Sequence, residues 1–94
     1  MALKRQGRNK MNEYVVYILF SEKLKCYYVG QTENFENRLE HHNSGKNKYT
    51  SKGLPWKFVH KFIVPDRSAA IILESKIKKR GIKRYLTDIN FFGM

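Results

Sequence analysis

YVVYILFSEKLKCYYVGQ, residues 14–31, decides the fold. YVVYILF (14–20) is seven residues of β-branched, aromatic and aliphatic side chains, which is strand chemistry. The polar stretch SEKLK (21–25) interrupts it, and CYYVGQ (26–31) is a second strand-like run. Two such runs about five residues apart predict an antiparallel hairpin. Side chains alternate along a strand, so Val15, Tyr17 and Leu19 share a face opposite Tyr14, Val16 and Ile18. Tyr28 and Gly30 share a face of the second strand, opposite Tyr27 and Val29. Gly30 forgoes side-chain packing and permits a bulge or a close backbone approach.

Downstream, TENFENRLEHHNSG (32–45) predicts a short helix over about 34–43, with Thr32, Glu33 and Asn34 at its start and Gly45 after its end. KNKYTSKGLP (46–55) reads as a basic, polar loop. WKFVHKFIV (56–64) alternates apolar and polar residues through Phe62, which predicts a third strand with one wet face. PDRSAAIILESKIKKRG (65–81) is the clearest helix, with Asp66 as N-cap and Gly81 following Lys78, Lys79 and Arg80. IKRYLTDINFF (82–92) adds a helical turn or two. The expected class is α+β, a three-stranded antiparallel sheet flanked by helices, in the order β-β-α-β-α plus a short C-terminal helix.

Ninety-four residues hold one small domain. Nineteen Lys and Arg against eight Asp and Glu give a net charge of +11. Lys4, Arg5, Arg8 and Lys10 belong to an expected basic, flexible arm over residues 1–12, and removing their four charges leaves +7 on the expected single domain, 13–94. That surplus points to a polyanionic partner, nucleic acid ahead of an acidic membrane. Cys26 is the one cysteine, which excludes a disulfide framework and a thiolate zinc site. No apolar stretch approaches the roughly 18–20 residues of a membrane span. The N-terminus lacks the apolar core of a secretory signal, so a cytoplasmic location is expected.

Polar residues interrupt both helical stripes. Phe35, Arg38, Leu39 and His42 follow i, i+3, i+4, i+7. Arg38 and His42 therefore either edge the stripe, with the Arg stem snorkelling outward, or aim at the sheet. Ala70, Leu73, Glu74 and Ile77 make the second stripe, with Glu74 near its middle. A carboxylate there needs a cationic partner or a hard cation such as Mg²⁺. His41 points about 100° away from His42, toward the surface. Trp56 reads as a core plug or a base-stacking ring, and Tyr49 as a second stacking candidate.

Tyr17 in VVY (15–17), the YVG of Tyr28-Val29-Gly30, RLEHHNSGK (38–46) and DRSAAIILESKIKK (66–79) together resemble the GIY-YIG nuclease family. The likeness is to its small stand-alone bacterial single-domain members, which are similar to the nuclease domain of the excision-repair incision subunit. It spans about residues 13–86. The Gly and Ile of the first motif are both Val here, and Asn90 is a candidate for the late Asn many members carry. The 94 residues are expected to carry no second domain of the kind that selects targets in larger relatives.

The resemblance implies a divalent-metal-dependent DNA endonuclease, structure- or damage-directed rather than sequence-specific, working through one Mg²⁺ or Mn²⁺ ion. Glu74 would hold the metal, and Arg38 would pair with phosphate oxygens. Tyr17 would activate water, although a phenol of ordinary pKa ~10 is a poor base unless cations lower it. His42 would take the proton from Tyr17 or orient it, and Tyr28 would orient the water or bind phosphate. All five should converge, with the Glu74 carboxylate on the face that carries Arg38 and Tyr17. Lys46, Lys48, Lys52, Lys78, Lys79, Arg80, Lys83 and Arg84 would grip DNA, or RNA, through its phosphates. The alternatives are a non-catalytic nucleic-acid-binding module and an accessory subunit whose protein partner selects the target.

Overall fold

YVVYILFS forms strand β1 (Tyr14–Ser21) and CYYVGQT forms β2 (Cys26–Thr32), paired antiparallel from Val15 opposite Thr32 to Ser21 opposite Cys26. The structure is a computed structural model and describes residues 14–45 and 48–93, the side chains of Lys48 and Tyr49 excepted. The expected arm over residues 1–12 lies outside that range. The hairpin turn is fixed by Ser21, whose buried hydroxyl accepts from the Leu24 N–H at 3.0 Å and donates to the Gly53 carbonyl at 2.7 Å.

Helix α1 (Phe35–Asn43) follows, capped by the Asn34 side chain, which accepts from the Asn37 N–H at 3.1 Å. The stretch expected as loop contains one helical turn, α2 (Lys48–Ser51). Strand β3 (Trp56–Val64) then pairs antiparallel with the other edge of β1, giving the sheet order β2-β1-β3. Asp66 caps α3 (Arg67–Arg80) by accepting from the Ala69 N–H at 2.9 Å. Gly81 separates α3 from α4 (Ile82–Asp88) at φ +99°, a conformation glycine adopts without a Cβ penalty. The three-stranded antiparallel sheet with flanking helices is the expected α+β architecture.

With β1 central, both of its faces need cover. Val16, Ile18 and Val29 pack against Ala70, Ile77 and Leu86 of α3 and α4. Tyr17, Leu19 and Trp56 pack on the opposite face against Phe35 and Leu39 of α1. The two-sided reading of YVVYILF is therefore met side chain by side chain.

The period-two reading of WKFVHKFIV is not. Leu19 stands opposite Phe58 and Ile18 opposite His60, so Val59 is an extra residue in a β-bulge. The bulge breaks the parity of the strand. Trp56 and Phe58 lie on the α1 face, while His60, Phe62 and Val64 lie with Val16 and Ile18 on the other. β3 thus has no single wet face. Trp56 is buried and is a core residue.

Candidate functional site

Tyr17 sits at the middle of the central strand on the α1 face, directly opposite Gly30 of β2. Its ring lies over that glycine, so the motif places an aromatic side chain where the neighbouring strand offers no Cβ. The last turn of α1 brings His42 to the ring. Tyr17 Oη and His42 Nε2 share a hydrogen bond of 2.9 Å, and both residues are buried. His42 Nδ1 shares a second, of 3.0 Å, with Thr50 Oγ1 of α2. Tyr28 is half-buried beside them, its ring centre 6.3 Å from that of Tyr17 and 5.0 Å from that of His42.

Two backbone clamps hold this side of the sheet in place. The Asn43 side chain donates to the Trp56 carbonyl at 3.1 Å and accepts from the Trp56 N–H at 2.7 Å, tying α1 to the start of β3. The Trp56 indole donates to the Thr50 carbonyl at 2.7 Å. Neither Thr50 nor Asn43 is recoverable from the sequence. Thr50 lies in a stretch that reads as polar loop, and nothing in its spacing from His42 announces a contact.

Burial pushes the Tyr17 phenol well above its ordinary range, with Tyr28 adding to the rise. The Arg38 guanidinium opposes it, through its charge and as a hydrogen-bond donor, and the Glu74 carboxylate raises it slightly further. Burial lowers His42, and the charges of Arg38 and His41 push the same way. The pair therefore rests as a neutral phenol against a neutral imidazole.

Arg38 is exposed at the rim of α1 with its charge felt by both Tyr17 and His42, so it both edges the stripe and serves the centre. His41 is exposed, as expected. Glu74 belongs to α3, which packs on the opposite face of the sheet from α1, the helix that bears Arg38. The carboxylate nevertheless acts on the ionisation of Tyr17. It is largely covered, with 18% of its side chain exposed, and its cationic partner is Lys78 at 2.9 Å. Among the described residues no group of three or more His, Cys, Asp or Glu could hold a metal ion. A single carboxylate suits a hard cation that keeps most of its waters and does not suit a structural zinc.

Lys52, Lys79, Lys83 and Arg84 are exposed. Lys78 is shared with Glu74, and Arg80 grips Asp88 through two hydrogen bonds of 2.7 and 3.0 Å. Lys46 and the side chain of Lys48 lie outside the described residues, as does the side chain of Tyr49. Asn90 is exposed in the turn after α4, at φ +61°. Among the described residues no helix is long and apolar enough to cross a membrane.

Residues 13–85 match the family model of the GIY-YIG catalytic domain. A UPF0213 protein of Syntrophus aciditrophicus is 44% identical over 71 residues, covering 73% of this chain and 80% of that protein. One from Haloquadratum walsbyi is 33% identical over 87 residues, covering 85% of this chain and 98% of that protein. The solution NMR structure of a UPF0213 protein from Bacillus halodurans superposes with a TM-score of 0.53 at 26% identity, over 84% of each chain.

Proposed function

The chain belongs to the GIY-YIG family, a family of nucleases, and from that premise we propose that it is a divalent-metal-dependent endonuclease hydrolysing DNA phosphodiester bonds. Its target choice would rest on DNA structure or damage rather than on sequence. The observation that carries the reading is the buried Tyr17–His42 hydrogen bond, 2.9 Å long, with the charges of Arg38 and Glu74 felt at the phenol.

Because burial keeps His42 neutral, its Nε2 is available to accept a proton at neutral pH. Thr50 Oγ1 would accept the Nδ1–H and so hold the tautomer in which Nε2 carries the lone pair. Tyr17 would take a proton from the attacking water as it passes its own to His42, which spares the phenol from resting as a phenolate. Arg38 would bind the phosphate oxygens, where its charge favours the anionic transition state and eases proton loss from Tyr17. Tyr28 would orient the water or contact the phosphate. Glu74 would hold one Mg²⁺ or Mn²⁺ ion, which when bound supplies Lewis-acid stabilisation of the scissile phosphate and its leaving oxygen. Exposed Lys52, Lys79, Lys83 and Arg84 would hold the DNA by its backbone. A cytoplasmic location accords with a DNA substrate and with a free, exposed Cys26.

The test is nicking of supercoiled and branched DNA with Mg²⁺, Mn²⁺ or EDTA, beside Glu74→Ala. Metal-dependent nicking that the variant loses is the expected result. Equal nicking by both proteins would mean that the Glu74 assignment is wrong. A second reading, a nucleic-acid-binding module or accessory subunit, draws support from the Lys78 ammonium already paired with Glu74. It predicts no nicking by either protein and salt-sensitive DNA binding indifferent to chelator.

A further inference from the structure

Beside the Tyr17 centre, the outer strand β3 presents a patch that the proposed reaction does not use. Lys61 stands directly opposite Tyr17 in the ladder, so its side chain leaves the sheet on the same face. Its ammonium lies 5.1 Å from the centre of the Phe35 ring, and that ring is 5.7 Å from the ring of Tyr17. Phe58 reaches this face as well. It meets Phe35 edge-on at 5.3 Å and keeps 48% of its surface in water.

The bulge at Val59 is what brings Phe58 here. In a regular strand Phe58 would share the face of His60 and Phe62, two and four residues on, and would point toward the core under α3. The extra residue turns it instead to the Tyr17 side, and bulges next to active sites recur for this re-aiming. The result is a half-exposed aromatic ring and an exposed lysine, with Phe35 between them and the phenol.

We propose that Phe58 and Lys61 form a subsite for DNA flanking the scissile phosphate, with Phe58 stacking on an unpaired base and Lys61 pairing with a neighbouring phosphate. The chemistry names the occupant. Every base has a face that an aromatic ring can stack on, and stacking of this kind is sequence-tolerant. A cation beside the ring and a net charge of +11 favour a polyanion and disfavour a basic partner. A fully paired duplex keeps its bases stacked within itself and leaves Phe58 uncovered, whereas a bulged or frayed duplex can cover it. The subsite thus supplies a structural basis for preferring flexible or damaged DNA. It deepens the nuclease reading, on which its placement rests.

The test is fluorescence anisotropy with two labelled duplexes of equal length, one fully paired and one with a single unpaired base, in EDTA so that no cleavage intervenes. The intact protein should bind the bulged duplex about tenfold more tightly. Phe58→Ala should abolish the difference and leave binding of the paired duplex in place, and Phe58→Trp should keep it. Lys61→Gln should weaken binding of both duplexes and lower the slope of log affinity against log salt by about one. Equal affinity of the intact protein for the two duplexes overturns the inference, as does a preference that survives Phe58→Ala or is lost equally in Phe58→Trp. A bulge preference without any nicking would sink the nuclease reading and leave the subsite standing. Nicking without a bulge preference would do the reverse.

Discussion

Gly30 stands opposite Tyr17 in the β1–β2 ladder, and a Cβ on it would fall 2.7 Å from the Tyr17 hydroxyl and 2.9 Å from the ring carbon that bears it. The second motif tyrosine, Tyr28, adds its own ring edge at 3.1 Å. The glycine is therefore needed for space, because the phenol that bonds His42 occupies the volume a side chain would take.

Gly30→Ala should consequently displace the Tyr17 ring and break the Tyr17–His42 hydrogen bond. Overpacking of this kind costs about 1–3 kcal/mol. Thermal unfolding should show the loss, and metal-dependent nicking should fall with it. An unchanged Tm together with unchanged nicking would show that the ring adjusts freely and that its position is not what the glycine protects.

His42 should contribute to the acid side of the stability profile. Burial lowers its pKa in the folded chain, so as the pH drops below the ordinary histidine value, ~6.5, the unfolded chain takes up the proton first. The contribution is therefore complete above about pH 6.5 and is lost as the pH falls toward the lower, folded value. Denaturation midpoints measured from pH 8 to pH 5 should decline on that limb, and His42→Gln should flatten the decline. An acid limb identical in the two proteins would assign it to other groups.

Glu74 and Lys78 form an i, i+4 pair whose lysine is 60% exposed, and such pairs add only about 0.3–0.5 kcal/mol. Glu74→Gln should thus leave Tm nearly unchanged while abolishing nicking. On the proposed assignment of Glu74 to the metal, Lys78 would compete with the ion for the same carboxylate, so Lys78→Ala should lower the Mg²⁺ concentration for half-maximal nicking by on the order of twofold. A Mg²⁺ requirement that rises in Lys78→Ala would indicate that the lysine positions the carboxylate and does not compete for it.

Where local chemistry governs, sequence and structure agree. The alternation in YVVYILF separates Val16 and Ile18 from Tyr17 and Leu19, and Asn34, Asp66 and Gly81 mark helix ends. Arg38, His42 and Glu74 stand out because each interrupts an apolar stripe. What stays hidden depends on contacts between distant segments. The bulge at Val59 follows from how β3 must serve two faces of β1, and the strand's own period-two pattern argues against it. Glu74 acts on Tyr17 from a helix on the opposite face from α1, a placement no stripe can announce. Thr50 reaches His42 because Asn43 and Trp56 lash α1, α2 and β3 together.

Thr50 offers the most specific test of the proton path. Its side chain is fully buried, and its hydroxyl is the partner of His42 Nδ1 at 3.0 Å. In the proposed proton path Thr50 accepts the Nδ1–H, and Nε2 faces Tyr17 as an acceptor. Thr50→Val preserves the shape and removes the hydroxyl, leaving a buried ring nitrogen unpaired at about 1–3 kcal/mol. The freed imidazole can then carry its proton on Nε2, the wrong tautomer for accepting from Tyr17. Nicking at neutral pH should drop by at least tenfold while DNA affinity in EDTA stays unchanged, and Thr50→Ser should restore the activity. Single-turnover rates at saturating DNA separate the two effects. Wild-type rates in Thr50→Val would mean that the hydroxyl serves the fold alone and that His42 orients Tyr17 without accepting its proton.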